Sequence, residues 1–407
     1  MHKLTIFETE PSGHHLILHV RHIMREALSR GWQVRLATSE RATKDRAFHI
    51  LREDFGDRFE VSIVRDIRNE ETTADGRKVL EHFQRWRAYR DAYRALPEKP
   101  DVVYSVSLEK LDLPMSVLGS PFGRTPFCGL LLVRYFHCPE MGIKTEPLRP
   151  RERLMEPVFW RLLRIKYLKT LLTLDPKLAE FAAKKKRVGG EKVRYLPDIA
   201  SFAVLTPVDD AKGKLGIPAD RFVVLNFGAM TPRKGLQELV EALDHPDCPE
   251  RVVGLFAGRQ DIAAAELMSA PRVQGLREQE RLFEINRFLD SEEENLVFQA
   301  ADAVWVGYRR FYGMSGVLVQ SAAAGRPVLA NDEGLISHLV ESYGLGLIAD
   351  IDDHAAVANA LSRLASDQEF VAECGRRGSS FAEDHTPTLF GKRVCDYIAA
   401  AAERSSF

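Results

Sequence analysis

Cysteine is scarce in this chain, with five in 407 residues: Cys128, Cys138, Cys248, Cys374 and Cys395. The number is odd and no C-x-x-C pair occurs, so a disulfide framework is not expected. The pattern fits free thiols in a reducing compartment. Long hydrophobic runs are missing too. No stretch approaches the roughly 18 consecutive apolar residues of a membrane-spanning helix, and the opening MHKLTIFETEPSGHH has no extended apolar core of the signal-peptide kind. A cytoplasmic protein is expected, with peripheral membrane contact left open. Charge of either sign is not in excess: 57 Lys and Arg against 58 Asp and Glu give a net charge of -1. That balance argues against a dedicated nucleic-acid binder. Tandem repeats and low-complexity tracts are absent. So are G-x-G-x-x-G after the first strand, G-x-x-x-x-G-K-[ST] and G-x-S-x-G, which removes support from dinucleotide oxidoreduction, P-loop hydrolysis and the usual esterase arrangement.

What is present is a regular alternation of short apolar strands and amphipathic helices. Leu4–Phe7 predicts a first strand, and a helix follows with Ile17, Val20, Met24, Ala27 and Leu28 on one face. Val34–Ala37 predicts a second strand. Further strands are expected at Val61–Val64, Val102–Ser105, Gly129–Val133 and Leu171–Leu174. After a looser, proline-containing segment the pattern restarts, with strands expected at Phe222–Phe227, Val252–Ala257, Ala303–Gly307 and Pro327–Ala330. A βαβ rhythm predicts parallel sheets with helices on both faces, and the length suits two domains. The expected division is an N-terminal domain over residues 1–200 and a C-terminal domain over 201–387. A last helix, about 388–407, has no strand after it and could pack back on the first domain.

Four constellations could carry chemistry. In the first, Phe227-Gly-Ala-Met-Thr-Pro-Arg233-Lys234-Gly235, a strand ends, a turn begins at Gly228, and two adjacent cations precede a helix. Helix-start amides and the helix dipole favour an anion there. Arg233 could fork two phosphate oxygens and Lys234 add a point charge, so a diphosphate is a natural guest. In the second, Tyr308–Gly325, the residues Gly313, Ser315 and Gly316 make a small-residue loop before a helix, open to close approach by a phosphate. Gln320, one turn in, could bond a ribose hydroxyl. The third is Ser12-Gly13-His14-His15 at the mouth of the first strand. His15, His19 and His22 share a face there, but no carboxylate completes a metal set, so no metal is expected. The fourth is His137, just past the fifth expected strand, placed either for proton or hydrogen-bond work or as a satisfied structural histidine. Asp350-Ile-Asp352-Asp353 holds a D-x-D, but it precedes an Ala-rich helix and Asp353 is better taken as its N-cap.

The order and spacing of these segments resemble the GT-B glycosyltransferases of the large retaining family 4. The segment from Ser12 to Ser39 is similar to that family's Gly-rich opening and first helix, and PDVVY (Pro100–Tyr104) to its PDVVH strand. FGAMTPRKGLQELVEAL (Phe227–Leu243) is similar to its phosphate loop, and Ala300 to Ala330 to its ADVFVLPS…EAMACGxPVVA segment. The resemblance implies two Rossmann-like domains with parallel sheets facing across a cleft, and no metal or other cofactor. The implied donor is a nucleotide-sugar and the acceptor a sugar or lipid-linked hydroxyl. By position, Arg233 and Lys234 would hold the donor diphosphate and stabilise it as it leaves. His137 would sit near the transferred sugar, and Gly13, beside His14, would lie against the donor phosphate or the acceptor. The expected function is retaining sugar transfer, in cell-surface glycan or glycoconjugate synthesis. One departure stands out: the family's two glutamates in E-x7-E correspond to Tyr312 and Gln320. A catalytically silent GT-B protein that binds a nucleotide or sugar, or supports a partner enzyme, is the alternative expectation. Separately, the basic and aromatic stretch Arg151–Leu172 could rest on a membrane surface, or form a helix packed inside the first domain.

Overall fold

The structure, a computed structural model, describes residues 2–10, 15–67, 75–200 and 210–403. It divides into two compact units. The first comprises residues 1–141, 147–199 and 387–407; the second comprises 142–146 and 200–386.

In the first unit, β1 (Lys3–Phe7) leads to helix α1 (Arg21–Ser29), followed by β2 (Gln33–Ser39) and β3 (Phe59–Val64). Helix α2 (Asp75–Ala95) precedes β4 (Val102–Ser105) and β5 (Phe127–Leu131). Then come α3 (Pro150–Leu163), β6 (Leu168–Thr173), α4 (Pro176–Lys185) and the short β7 (Val193–Tyr195). The sheet order is β3-β2-β1-β4-β5-β6-β7, and its pairs are parallel. The chain runs outward one way from β1 through β3, then returns to β1's other side as β4, so the switch point lies between β1 and β4. Ligands of open α/β sheets collect at such points, beyond the strands' C-terminal ends. An aromatic-rich core of Phe7, Tyr89, Phe122, Phe127, Phe159 and Phe181 fills this unit.

The second unit repeats the scheme. Its elements are β8 (Phe222–Phe227), α5 (Leu236–Leu243), β9 (Val252–Ala257), β10 (Leu282–Ile285) and β11 (Ala303–Val306). After these come α6 (Gly316–Ala323), β12 (Val328–Asn331), α7 (Gly334–Tyr343), β13 (Gly346–Ala349) and α8 (His354–Ser366). The order β10-β9-β8-β11-β12-β13 puts its switch point between β8 and β11. The architecture is α/β with two Rossmann-like parallel sheets.

The final helix α9 (Pro387–Glu403) belongs to the first unit and packs on α1. Gly391 makes the contact: a side chain there would strike the His22 carbonyl. Arg30 of α1 reaches Asp396 of α9 at 2.7 Å. The five cysteines are all free and buried. Three strands were not expected from the sequence: β7, β10 and β13. Strand β5 starts two residues earlier than expected and ends at Leu131. The stretch Arg151–Leu172 is not one helix: α3 stops at Leu163 and β6 begins at Leu168. Among the described residues no helix is long and apolar enough to cross a membrane.

Candidate functional site

The second unit's switch point is built around Tyr308, which is buried. β8 delivers the chain to Phe227, and the turn that follows begins at Gly228, whose φ of 90° suits glycine. Pro232–Lys234 form a single tight turn and Gly235 (φ 65°) opens α5. At Gly235 a Cβ would collide with the Gly307 carbonyl oxygen, so only glycine lets the loop lie this close to the end of β11. Backbone bonds lock it there. The Trp305 indole donates to the Lys234 carbonyl at 2.8 Å, and the Arg309 amide donates to the Arg233 carbonyl at 2.8 Å.

These bonds set two cations in different positions. Lys234 is buried, its ammonium donating to the Phe227 carbonyl and lying 5.6 Å from the Tyr308 ring centroid. Arg233 is exposed. Its guanidinium lies 4.6 Å over Phe311 and 5.6 Å over Tyr308. Contact with two ring faces restricts the guanidinium while its N–H edge stays open to an anion.

The small-residue loop meets the same tyrosine. The Ser315 hydroxyl lies 3.3 Å from the Tyr308 hydroxyl. Ser315 precedes α6, whose N-terminus has no side-chain cap, and Gly316 is exposed, so the first amides of α6 remain available to an acceptor group. Asn331 donates to the Tyr308 carbonyl at 3.0 Å and ties this strand end to β12. The structure therefore brings Arg233, Lys234 and Ser315 together around Tyr308, with Gly228 beside the Lys234 ammonium and Gly316 next to Ser315 in the chain. Gly313 and Gln320 are buried in the same loop and helix.

Tyr312 does something the sequence did not reveal. Its hydroxyl accepts the Glu146 amide at 3.2 Å. The segment 142–146, inserted between β5 and α3 in the chain, belongs to this second unit. Lys144 pairs with Asp332, Arg310 lies 2.9 Å from Glu146, and the Gly334 amide donates to the Lys144 carbonyl at 2.8 Å. Where the resemblance places a carboxylate, this chain has a phenol that anchors a loop. Of the D-x-D acids, Asp353 caps α8 through the Ala356 amide at 3.0 Å and Asp352 pairs with Arg309.

His137 is placed differently from the expectation. It is 0% exposed. Its ring sits against Phe136 and Phe181, and Nε2 lies 2.8 Å from Asp175 Oδ2. That close contact lacks the alignment of a linear hydrogen bond, since both atoms count among those without one. A side chain sealed in this way does not touch a substrate in this structure, so the expectation that His137 faces the transferred sugar is not met. The reason is local: beyond β5 the chain turns inward at Phe136–His137 and fills the space between α3 and α4. Gly13 and His14 lie outside the described residues.

At the first unit's own switch point, His15 meets two polar residues that no sequence motif marks, Glu8 and Ser107. Glu8, 1% exposed, follows β1; its Oε2 lies 3.0 Å from His15 Nδ1, and Ser107 Oγ, beyond β4, lies 3.4 Å from the same nitrogen. Burial disfavours charge on His15, but the hydrogen bond and charge of Glu8 outweigh it and raise its pKa above the usual histidine value. Glu10 meets Lys110 at 2.7 Å and the buried Arg85 at 3.1 Å. Burial pushes Glu10 up, yet the two cations more than offset this and hold it below the usual carboxylate range. The period-2 and period-3.6 patterns mark apolar faces, so polar groups at strand ends carry no such signal.

Comparison with known proteins agrees with this architecture. Residues 221–367 match the family described as glycosyl transferases group 1. A D-inositol 3-phosphate glycosyltransferase of Corynebacterium jeikeium is 30% identical over 203 residues, covering 47% of each chain. This chain thus spans about half the length of the curated relatives it matches. Among solved structures, sucrose-phosphate synthase from Thermosynechococcus elongatus has a TM-score of 0.69 at 18% identity, covering 97% of this chain and 98% of that one. HepE of Anabaena, solved with UDP-glucose, has a TM-score of 0.67 at 16% identity, covering 98% of this chain and 100% of that one. At these identities the likeness establishes the fold, which is GT-B.

Proposed function

We propose that this GT-B chain, whose second unit carries a group 1 glycosyl transferase domain, is a retaining glycosyltransferase. It moves a sugar from a nucleoside-diphosphate sugar to a hydroxyl of a sugar or lipid-linked acceptor. The single observation that carries this reading is the convergence on Tyr308. An exposed guanidinium held over two rings, a buried ammonium and an uncapped helix start all meet at one strand end. The arrangement suits a pyrophosphate better than any other common group, since it offers a fork, a point charge and backbone amides together. The UDP-glucose complex of HepE supports a nucleotide-sugar donor. The inositol-phosphate and lipopolysaccharide-core glycosyltransferases among the relatives support a role in glycoconjugate or cell-surface glycan synthesis.

In the step itself, the bond between the sugar's anomeric carbon and the diphosphate oxygen breaks. The acceptor oxygen bonds to that carbon from the same face, and the departing phosphate oxygen takes the acceptor's proton. Charge grows on the diphosphate as this happens. Arg233, Lys234 and the first amides of α6 are positioned to stabilise that charge without reorganising, and such preorganised stabilisation is usually the largest contribution to rate. No metal or other cofactor is required in this scheme.

The test is turnover and binding across UDP-, GDP-, ADP- and dTDP-sugars. One of these is expected to raise the melting temperature and to be hydrolysed or transferred. Arg233→Ala with Lys234→Ala is expected to lower turnover by about a thousandfold. Undiminished turnover would refute both roles. The anchoring of Tyr312 by Glu146 favours one second reading, in which the chain binds the nucleotide-sugar without transferring it. That reading predicts the melting shift without turnover.

A further inference from the structure

Outside the strand ends, the first unit carries a surface that the transfer reading does not use. Helix α3 presents Leu154, Pro157 and Arg161 along one stripe that Arg164, its C-cap, continues at helical spacing, and all four are exposed. Leu154 is 68% exposed, an unusual state for a leucine in the middle of a helix. The chain then returns to the same place. Gly189 packs so tightly on the main chain of Leu163 that a Cβ would not fit, and the Lys192 ammonium donates to the Leu163 and Ile165 carbonyls at 2.7 and 2.9 Å. These contacts bring the tract Lys184–Val188 against the end of α3. Pro157, Trp160, Arg161, Arg164 and Arg187 line one groove of about 400 Å³, with Glu156 as its only carboxylate among the lining residues. The Arg187 guanidinium lies 5.3 Å over the Trp160 ring. Val188, next to it, is 74% exposed.

The groove sets three guanidinia against one carboxylate, Glu156, which lies 3.6 Å from Arg187, so Arg161 and Arg164 supply its excess charge in a chain whose total charge is -1. Two large apolar side chains, Leu154 and Val188, project beside those cations. Cations next to exposed apolar residues complement an anionic bilayer, where phosphates meet the guanidinia and the apolar side chains enter the interface. A nucleic acid fits less well, because Trp160 is buried beneath Arg187 and offers no free face for base stacking. We propose that the groove formed by the end of α3 and the Lys184–Val188 tract docks the protein on an anionic phospholipid surface. This inference stands independently of the transfer reading, since none of its residues belongs to the Tyr308 site.

The experiment is co-sedimentation of the full chain with vesicles of phosphatidylcholine alone or with about one-third phosphatidylglycerol, at 0.1 M salt. Binding to the anionic vesicles only is expected. Neutralising the groove by Arg161→Gln, Arg164→Gln and Arg187→Gln is expected to weaken it about a hundredfold. Val188→Asp, at an exposed position that leaves the fold alone, is expected to weaken it about tenfold. Removing three charges from the second unit, by Arg272→Gln, Arg376→Gln and Arg377→Gln, is expected to change nothing. The proposal is overturned if the native chain stays in solution with anionic vesicles, or if the groove variants sediment like the native chain. It also fails if the second-unit variant loses as much binding, or if an oligonucleotide is retained through the groove arginines while vesicles are not.

Discussion

The two units share a topology and differ in what they place at its switch point. In the second, the strand ends carry cations that meet rings and a carbonyl rather than carboxylates among the described residues: Arg233 is exposed over two rings, and the Lys234 ammonium donates to the Phe227 carbonyl and lies over Tyr308. In the first, charge is matched internally. Glu8 meets His15, Glu10 meets Arg85 and Lys110, and Asp112 meets Arg134. A guest with two negative charges suits the former. The same scaffold thus acquires opposite chemistries through a few residues beyond its strands, which is why fold alone does not name a substrate.

Three perturbations would sharpen or break this contrast. The largest effect is expected at His137. His137→Ala opens a cavity among Phe136 and Phe181, so denaturant unfolding should show a loss of about 3 kcal/mol. A loss in nucleotide-sugar affinity with unchanged stability would instead return His137 to the substrate site. Next comes Tyr312→Phe, which removes one hydrogen bond to the Glu146 amide. A loss of about 1 kcal/mol is expected in the same assay, while Tyr312→Glu tests whether a carboxylate there raises turnover. The smallest effect is the pH dependence of the Glu8–His15 pair. Because the folded-state value of His15 is raised, its stabilising effect is complete below the ordinary histidine value of about 6.5 and disappears as pH rises through the folded value. The melting-temperature gap between the native chain and His15→Gln should therefore be widest near pH 6 and close in alkaline buffer. A gap that widens with pH contradicts the pairing.

Much of the scaffold was legible because it rests on apolar periodicity. Val252–Ala257 is a continuous buried apolar run and Phe222–Phe227 is one interrupted only by Asn226, and they form strands with those bounds. Strands β10 and β13 escaped because they lie at the sheet's two edges, where four-residue strands keep partly exposed positions and lose the continuous apolar run. The turn at Arg233-Lys234-Gly235 between β8 and α5 was legible because its residues are contiguous in the chain. Tyr308 was not, since its importance lies in joining residues far apart in sequence. The same holds for His137: a histidine after a strand looks equally placed for catalysis or for the core, and only the burial of Phe136 and Phe181 around it decides.

The second unit's possession of residues 142–146 has a consequence for handling the protein. Five stretches alternate between the units, so the polypeptide passes from one to the other four times. No single cut yields two intact pieces. A fragment beginning at residue 200 would leave Tyr312, Asp332 and Arg310 without their partners on Glu146 and Lys144, and one ending there would strip α1 of the helix that covers it. Shuffling one half against a relative's would have to carry this five-residue graft and the terminal helix along with it.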